Sequence, residues 1–448
     1  QGGGVGKCIA EWIIDGEPSI DVWAMDVARF GDYASPQYGT IKSSENYERR
    51  FIMTFPNETL PKGRKQKTTA LYDRFVNQGA VMGDSFGLEN VLWFANNKED
   101  AHEEPTIKRS RSHDYVSREV INVRENVGLI EVANFSKHEF KGTDARKFLD
   151  HVMAGKLPKP GRISLSPMLS YRGKLCGDLT VACFDENEFM VFGSGAAQEM
   201  HRRWFESHLD KFDVNYKNRS DEFHGISIAG PNSRKVLEKI VRDNVTNEKF
   251  KFRDSRRMFV GGVPAIINRI SFTGELGYEI YVAPHYQIKL YEELMEAGKE
   301  FNIKPFGGRA LMSMRLEKNW GAWTLDYRPD FTAKETGLDM FINWDKDFIG
   351  KEKAKSENSS NKLTPLIVET NDIDVTSNEA VMNGDQSIGY VTSGGFAHFV
   401  NKSVAFTFID QNKIKSENKI QIEINGDLFN CSVIKEPLYD PNGQKMRS

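Results

Sequence analysis

The sequence predicts an α+β fold: two similar half-domains around a central cleft, followed by a small C-terminal β-barrel. Three observations predict it. The order strand, glycine turn, helix occurs twice, in EVANFSKHEFKGTDARKFLDHV and again in EFHGISIAGPNSRKVLEKI. Around these units run alternating, β-branched and aromatic stretches such as LTVACF and GYEIYVA, which suit paired strands. After the polar tract Ser356 to Lys362, short alternating segments continue to Glu436 with Gly384, Gly389, Gly394, Gly395 and Gly426 at their turns. That spacing fits a small all-β barrel or jelly-roll-like cap.

Taken in order, Gln1 to Asp15 reads as a glycine-rich loop feeding an amphipathic helix. The glycines there would let backbone amides approach a phosphate or a ring. An ATP-binding loop is only weakly supported, because Gly2, Gly6 and Lys7 lack its spacing and its following hydroxyl. Residues 1–65 are read as one piece and 66–110 as a linker or strap. Within the strap, LYDRF and GAVMGDSFGLENVLWF pack as a lid, and Asn96 to Arg111 is solvated charge. A compact α/β domain is expected over 111–355. Its first helix presents Tyr115, Val116, Val120 and Val123 inward and stops at Gly128. A strand from Leu129 to Val132 follows, then a turn at Gly142 into a helix capped by Thr143 or Asp144. Hairpins turning at Arg172-Gly173 and at Asp185 to Asn187 come next. The helix AQEMHRRWFESHLDKF carries His201 and His208 on a surface face. Helices are expected from Gln287 to Phe301 and over GGRALMSMRLEKNWGAW, the latter with Ala310, Met314 and Leu316 inward. The barrel occupies 363–448, with the last dozen residues loosely held.

Composition excludes several classes. A formal net charge of -3 in 448 residues gives no nucleic-acid or anionic-membrane surface. No apolar run is long enough to span a bilayer. Cys8, Cys176, Cys183 and Cys431 are too scattered for a disulfide scaffold or a structural zinc. Nine histidines show no metal-type pairing, so no metal is expected, and no Gly-x-Ser-x-Gly turn marks a serine nucleophile. The opening without methionine reads as a fragment or a processed product.

Two carboxylates stand out. Asp178 follows Cys176-Gly177 and opens the strand LTVACF, so a glycine turn aims an acid from the end of a rigid element. Glu275 lies between Gly274 and Gly277 on a turn beside GYEIYV, where a carboxylate can accept from two N–H donors of a heterocycle edge. Turn capping is the plain alternative for both. Tyr171, Phe272, Tyr278 and Trp320 are candidates to sandwich such a ring, against a simple core role. Arg309, Arg315 and the pair Arg256-Arg257 are candidates for an anionic tail.

These residues carry a resemblance. The segments PMLSYRGKLCGDLTV, FHGISIAGPNSRKVL, ISFTGELGYEIYV, GGRALMSMRLEKNWGAW, GLDMFINWDKDFIGKE and IGYVTSGG resemble, in order, the C-terminal half of the dimethylglycine and sarcosine dehydrogenase group. Its phosphatase-regulatory relatives belong to the same group. That half is similar to the folate-binding T-protein (aminomethyltransferase) of the glycine cleavage system. Earlier, GVGKCIAEWIIDGEPSIDVWAMDVARF resembles the end of the group's FAD-dependent oxidase domain.

The resemblance implies a T-protein-like fold and a tetrahydrofolate site. It places Asp178 at the aspartate near folate N10, and Glu275 at the glutamate that holds the pterin edge. Gly3, Gly4 and Gly6 would approach FAD only if the missing part of that domain were present. Phe272 stands where the T-protein usually has tyrosine, and Ser170 where asparagine is common. Leu311 occupies a position of arginine, which leaves Arg309 or a lysine for the folate tail. The implied function is capture of an iminium or formaldehyde carbon from N-demethylation as 5,10-methylenetetrahydrofolate. A separate FAD-domain chain or a precursor portion would perform the oxidation. Transfer from a sulfonium such as dimethylsulfoniopropionate, and a non-catalytic regulatory subunit, stand as alternatives. The cytoplasm is the implied location, or the mitochondrial matrix in a eukaryote.

Overall fold

The computed structural model describes residues 2–415 and 417–448. Its first part is an arm holding helices α1 (Gly2–Asp15) and α2 (Pro36–Glu48). α2 starts on Ser35, whose Oγ accepts from the Tyr38 N–H at 3.2 Å, with Pro36 in the first turn. α1 buries none of its residues, and Ile13 and Ile14 are each 79% exposed. Gly3, Gly4 and Gly6 therefore lie in a helix and not in the expected loop. Glycine weakens a helix by roughly 1 kcal/mol without forbidding it, and the apolar run behind these three continues the helical period.

Residues 71–95 are no strap. Helix α3 (Tyr72–Asn77) and the hairpin of β1 (Ala80–Ser85) and β2 (Leu88–Phe94) enter the core, with Leu71, Phe75 and Trp93 buried. The physical reason is the apolar content of LYDRF and VLWF, which a lid would leave in water.

The central body then runs α4 (Ser112–Glu125), β3 (Val127–Glu131), β4 (Phe135–Lys141), α5 (Ala145–Val152), β5 (Arg162–Leu169), β6 (Leu175–Asp185), β7 (Glu188–Ser194) and α6 (Gln198–Glu206). It continues through β8 (Asn215–Asn218), β9 (His224–Ala229), α7 (Ser233–Ile240), β10 (Ser255–Val260), β11 (Val263–Asn268), β12 (Gly277–Val282), α8 (Gln287–Gly298), β13 (Ile303–Pro305) and α9 (Gly308–Glu317). Two short helices, α10 (Ala333–Thr336) and α11 (Lys351–Ser356), lead to the barrel.

Two sheets result, ordered β5-β6-β7-β4-β8 and β10-β11-β12-β9-β3-β13. The repeated unit is β4 to α5 in the first sheet and β9 to α7 in the second. Each turn between strand and helix uses a glycine at positive φ, 147° at Gly142 and 131° at Gly230. A Cβ there would come within 2.2 Å of the Asp213 carbonyl oxygen or 2.6 Å of that of Asn126, so the second chain can cross only a residue without a side chain. The strand expected at Leu129 to Val132 is β3, and it pairs with β9 and β13 in the second sheet. Gly128 lies inside it, while α4 ends on Asn126. Val127 to Ile130 are all buried, which suits a strand covered on both faces.

His201 is 1% exposed, so the face of α6 that carries it is internal. The ring stands beside His138 and Phe205, and its Nε2 is 3.0 Å from the Cys176 carbonyl oxygen. Burial holds its pKa down at about 4, so the ring is neutral, and Nε2 carries the proton because a carbonyl oxygen can only accept.

The barrel is closed by β14 (Asn361–Val368), β15 (Ala380–Asn383), β16 (Gln386–Ala397), β17 (Lys402–Asp410), β18 (Ile420–Ile424) and β19 (Asp427–Val433). In space they run β14-β17-β16-β15-β18-β19, and β14 pairs with β19 to remove both edges. Leu366, Val381, Val391, Ala405 and Ile422 fill it. The last dozen residues, ending in α12 (Gln444–Arg447), are held firmly against expectation. Tyr439 is 8% exposed, and the Ser448 carbonyl oxygen accepts from Arg234 at 2.7 Å and Arg269 at 2.6 Å. Arg269 is a buried cation on the body that needs acceptors, and the tail supplies one. No described helix is long and apolar enough to cross a membrane.

Candidate functional site

β6 alternates strictly at its start: Leu175, Gly177 and Leu179 are buried, while Cys176, Asp178 and Thr180 are half-buried on the opposite face. Asp178 pairs across the sheet with Pro167, so its backbone is fixed. Its carboxyl receives no hydrogen bond or ion pair from any other described residue, and burial pushes its pKa up to about 7. A carboxyl so placed can hold or release a proton near neutrality. The phenol of Tyr327 lies within range of its charge.

Tyr327 links Asp178 to the aromatic wall. Its oxygen accepts from the Gly321 N–H at 3.1 Å, next to Trp320, which stacks on Phe272 with ring centroids 5.8 Å apart and planes 27° from parallel. Both wall rings are half-buried. The loop carrying Trp320 is strained. Asn319 has φ 55° and Thr324 φ 70°, and a β-branched residue in that region costs about 1–3 kcal/mol.

Beyond the wall stands Glu275, 1% exposed. Its Oε1 accepts from Arg124 at 2.9 Å and from the Tyr439 hydroxyl at 2.5 Å. Its Oε2 accepts from no described residue. Arg124 also donates to the Thr273 carbonyl oxygen at 2.7 Å and to Glu317 at 2.6 Å, and its guanidinium lies 3.8 Å from the Tyr439 ring centre. Glu317 in turn takes the Phe399 N–H at 2.9 Å, and Lys318 donates to the Tyr439 carbonyl oxygen at 3.1 Å. Helices α4 and α9, the turn at 271–276, the barrel and the tail thus converge on Arg124 and its two carboxylates, Glu275 and Glu317. Sequence reading missed Arg124 and Tyr439. The signal for Arg124 was its register, four and eight residues after the buried Val120 and Val116 on α4, where a charge must find a partner. Tyr439 gave no such signal.

Four expected contacts lie elsewhere. Tyr278 is fully buried and stacks on Phe250, 5.9 Å away, because its strand position turns it toward the packed helices. Tyr171 is half exposed, bonded to His208 at 2.7 Å on the outer side near Gly16. Arg309 is tied to Glu103 at 2.9 Å and to the Ser112 hydroxyl at 2.7 Å. Arg315 is 1% exposed and pairs with Asp326 at 2.8 Å and the Ser393 hydroxyl at 2.8 Å, so it joins α9 to the barrel. Both arginines are spent on protein carboxylates, which leaves neither free for a ligand's tail. The pair Arg256-Arg257 is likewise committed to Asp254 and Glu188.

Tetrahydrofolate fits what remains: an acceptor carboxyl, a half-open aromatic face and a fixed carboxylate oxygen. FAD does not fit the arm alone. A Cβ on Gly3, Gly4 or Gly6 would meet nothing within 4 Å, so they line no cradle.

Three family models match the chain: the GCVT N-terminal domain over residues 71–346, the glycine cleavage T-protein C-terminal barrel domain over 361–440, and the FAD dependent oxidoreductase central domain over 15–69. The chain is 34% identical to the mitochondrial dimethylglycine dehydrogenase of Mus musculus, over 97% of this chain and 51% of that protein. It is 28% identical to the aminomethyltransferase of Thermoanaerobacter pseudethanolicus over 72% of this chain and 89% of that one. The fold matches the crystal structure of the glycine cleavage system aminomethyltransferase T from Bartonella henselae with TM-score 0.72 at 21% identity, covering 84% of this chain and 98% of that one. The chain spans about half the length of the dehydrogenases it matches.

Proposed function

The chain belongs to the glycine cleavage T-protein family, and on that premise we propose that it binds tetrahydrofolate in its cleft and loads a one-carbon unit onto it, with Asp178 as proton carrier. The observation that carries this is the Asp178 carboxyl, which takes no hydrogen bond from any other described residue and is pushed up to about 7, within electrostatic reach of the Tyr327 phenol on the loop of Trp320. When bound, tetrahydrofolate supplies the nucleophilic nitrogens. Asp178 accepts the proton that the attacking amine loses. Phe272 and Trp320 pack against the pterin, and Glu275 accepts from its N–H edge through Oε2 while Arg124 and Tyr439 hold Oε1. Enclosure keeps a reactive carbon from water.

The unit is an iminium or formaldehyde carbon released by N-demethylation, in line with the dehydrogenases that the chain resembles. Oxidation belongs to an FAD-containing portion outside these residues; the exposed apolar side chains of the arm, among them Phe51 and Val27, suit such a neighbour. The test uses formaldehyde and tetrahydrofolate with Asp178→Asn. Folate affinity should stay within about threefold while transfer falls by about 10²–10⁴. Undiminished transfer removes the catalytic role. Methyl-tetrahydrofolate formed when dimethylsulfoniopropionate replaces formaldehyde would redirect the reading to a sulfonium donor, and absence of folate binding to a regulatory subunit.

A further inference from the structure

The loop from Asn319 to Tyr327 is built more elaborately than a connection requires. Thr324 holds φ 70° and Asn319 φ 55°, conformations that persist only when their surroundings enforce them. The Thr324 N–H donates to the Tyr327 carbonyl oxygen at 3.0 Å, and the N–H groups of Asp326 and Tyr327 return to the Ala322 carbonyl oxygen at 2.9 and 3.2 Å. Asp326 anchors the loop from below, taking hydrogen bonds from Arg315, the Ala322 N–H, Thr392 and Ser393. What this frame presents is Tyr327. A Cβ on Gly321 would come within 2.4 Å of its ring, so glycine alone admits the ring there. The phenol oxygen already accepts from Gly321, and its proton goes to no described acceptor. Leu175, three residues before Asp178 on β6, packs in one apolar cluster with Trp323 and Tyr327, and the Asp178 carboxyl, which no other described residue hydrogen-bonds, stands within the electrostatic reach of the phenol.

We infer that Tyr327 is a positioning residue of the site: it spans the gap between Asp178 and the loop of Trp320 and offers a free hydroxyl proton beside that carboxyl. This rests on the folate reading and extends it. A donor on one side and an acceptor on the other define the orientation of the amine nitrogen that Asp178 serves, much as a clamp of two polar groups aligns a reactant. The strained loop fixes their separation before any ligand arrives.

The test compares Tyr327→Phe with Thr324→Gly in formaldehyde-dependent transfer to tetrahydrofolate. Tyr327→Phe keeps the ring packing and removes one hydroxyl. It should lower kcat about tenfold with KM for tetrahydrofolate and the thermal midpoint nearly unchanged, a split that a merely structural role would not give. Thr324→Gly relieves the strained φ, so it folds at least as well as the parent; by loosening the loop it should still slow transfer and weaken quenching of tryptophan fluorescence by tetrahydrofolate. Parental kcat in both variants, with Asp178→Asn inactive, overturns this inference alone. Parental kcat in Asp178→Asn as well overturns the functional reading beneath it.

Discussion

The Asp178 carboxyl is the residue on which pH dependence should turn. Its folded pKa is raised to about 7 by burial, above the ordinary carboxyl value near 3.9. As a base it works ionised, so kcat/KM should rise through about pH 7 and be lost as pH falls below it, measurable as an acid limb that Asp178→Asn abolishes. The stability sign is opposite. Between about pH 4 and 7 the folded state holds a proton that the unfolded chain has released, so this group makes folding less favourable as pH rises and the penalty is complete above 7. Asp178→Asn should therefore melt higher than the parent at pH 8 and level with it at pH 3.5. Arg124 poses the reverse case. Buried between Glu275 and Glu317, it leaves two interior carboxylates unpaired when replaced by alanine, a loss of about 3–5 kcal/mol that denaturant titration would read. Of these residues, Asp178 and Glu275 were legible because glycines beside a strand advertise a turn that aims a side chain. Tyr327 was not, since nothing in WTLDYR announces a positive φ at threonine.

Among elements, the paired strands of the central sheets were legible from alternation, and the two strand-to-helix units from their glycines. The β1–β2 hairpin was not. Its turn is Phe86-Gly87, with φ 51° and 82°, and a phenylalanine in the left-handed region hides a hairpin that asparagine there would declare. β3 was recognised as a strand but its partners were not, because pairing across 95 or more residues leaves no local trace. The C-terminal tail is the element with the most direct consequence for the site. Tyr439 donates to Glu275, so Tyr439→Phe, which keeps the ring over Arg124, should weaken tetrahydrofolate binding about tenfold, the worth of one hydrogen bond to a charged group at the low end, and removal of residues 438–448 should weaken it further. Equal affinity in parent and truncated chains, by titration calorimetry, would detach the tail from the site.

At the scale of the whole molecule a buried charge cluster is one of the ties between the barrel and the body, beside the Glu317–Phe399 bond and the Arg109–Asp374 pair. Asp326 is fully buried and takes hydrogen bonds from Arg315 on α9 and from Thr392 and Ser393 on β16. The same residue fixes the loop of Trp320 and Tyr327, so the site and the domain junction share a support. Asp326→Ala strands Arg315, which is 1% exposed, and an unpaired buried guanidinium costs about 3–5 kcal/mol. That loss falls on the junction, not on the barrel's own core of Leu366, Val381 and Val391. Calorimetry should then resolve a barrel transition that the parent melts together with the body, and transfer should fall because the wall loop is freed. The paired replacement Arg315→Met with Asp326→Leu removes both charges together and should recover most of the stability without recovering transfer, since Ala322, Thr392 and Ser393 still lack their acceptor. Recovery of both together would mean that the cluster only glues the domains and leaves the geometry of the cleft to other contacts.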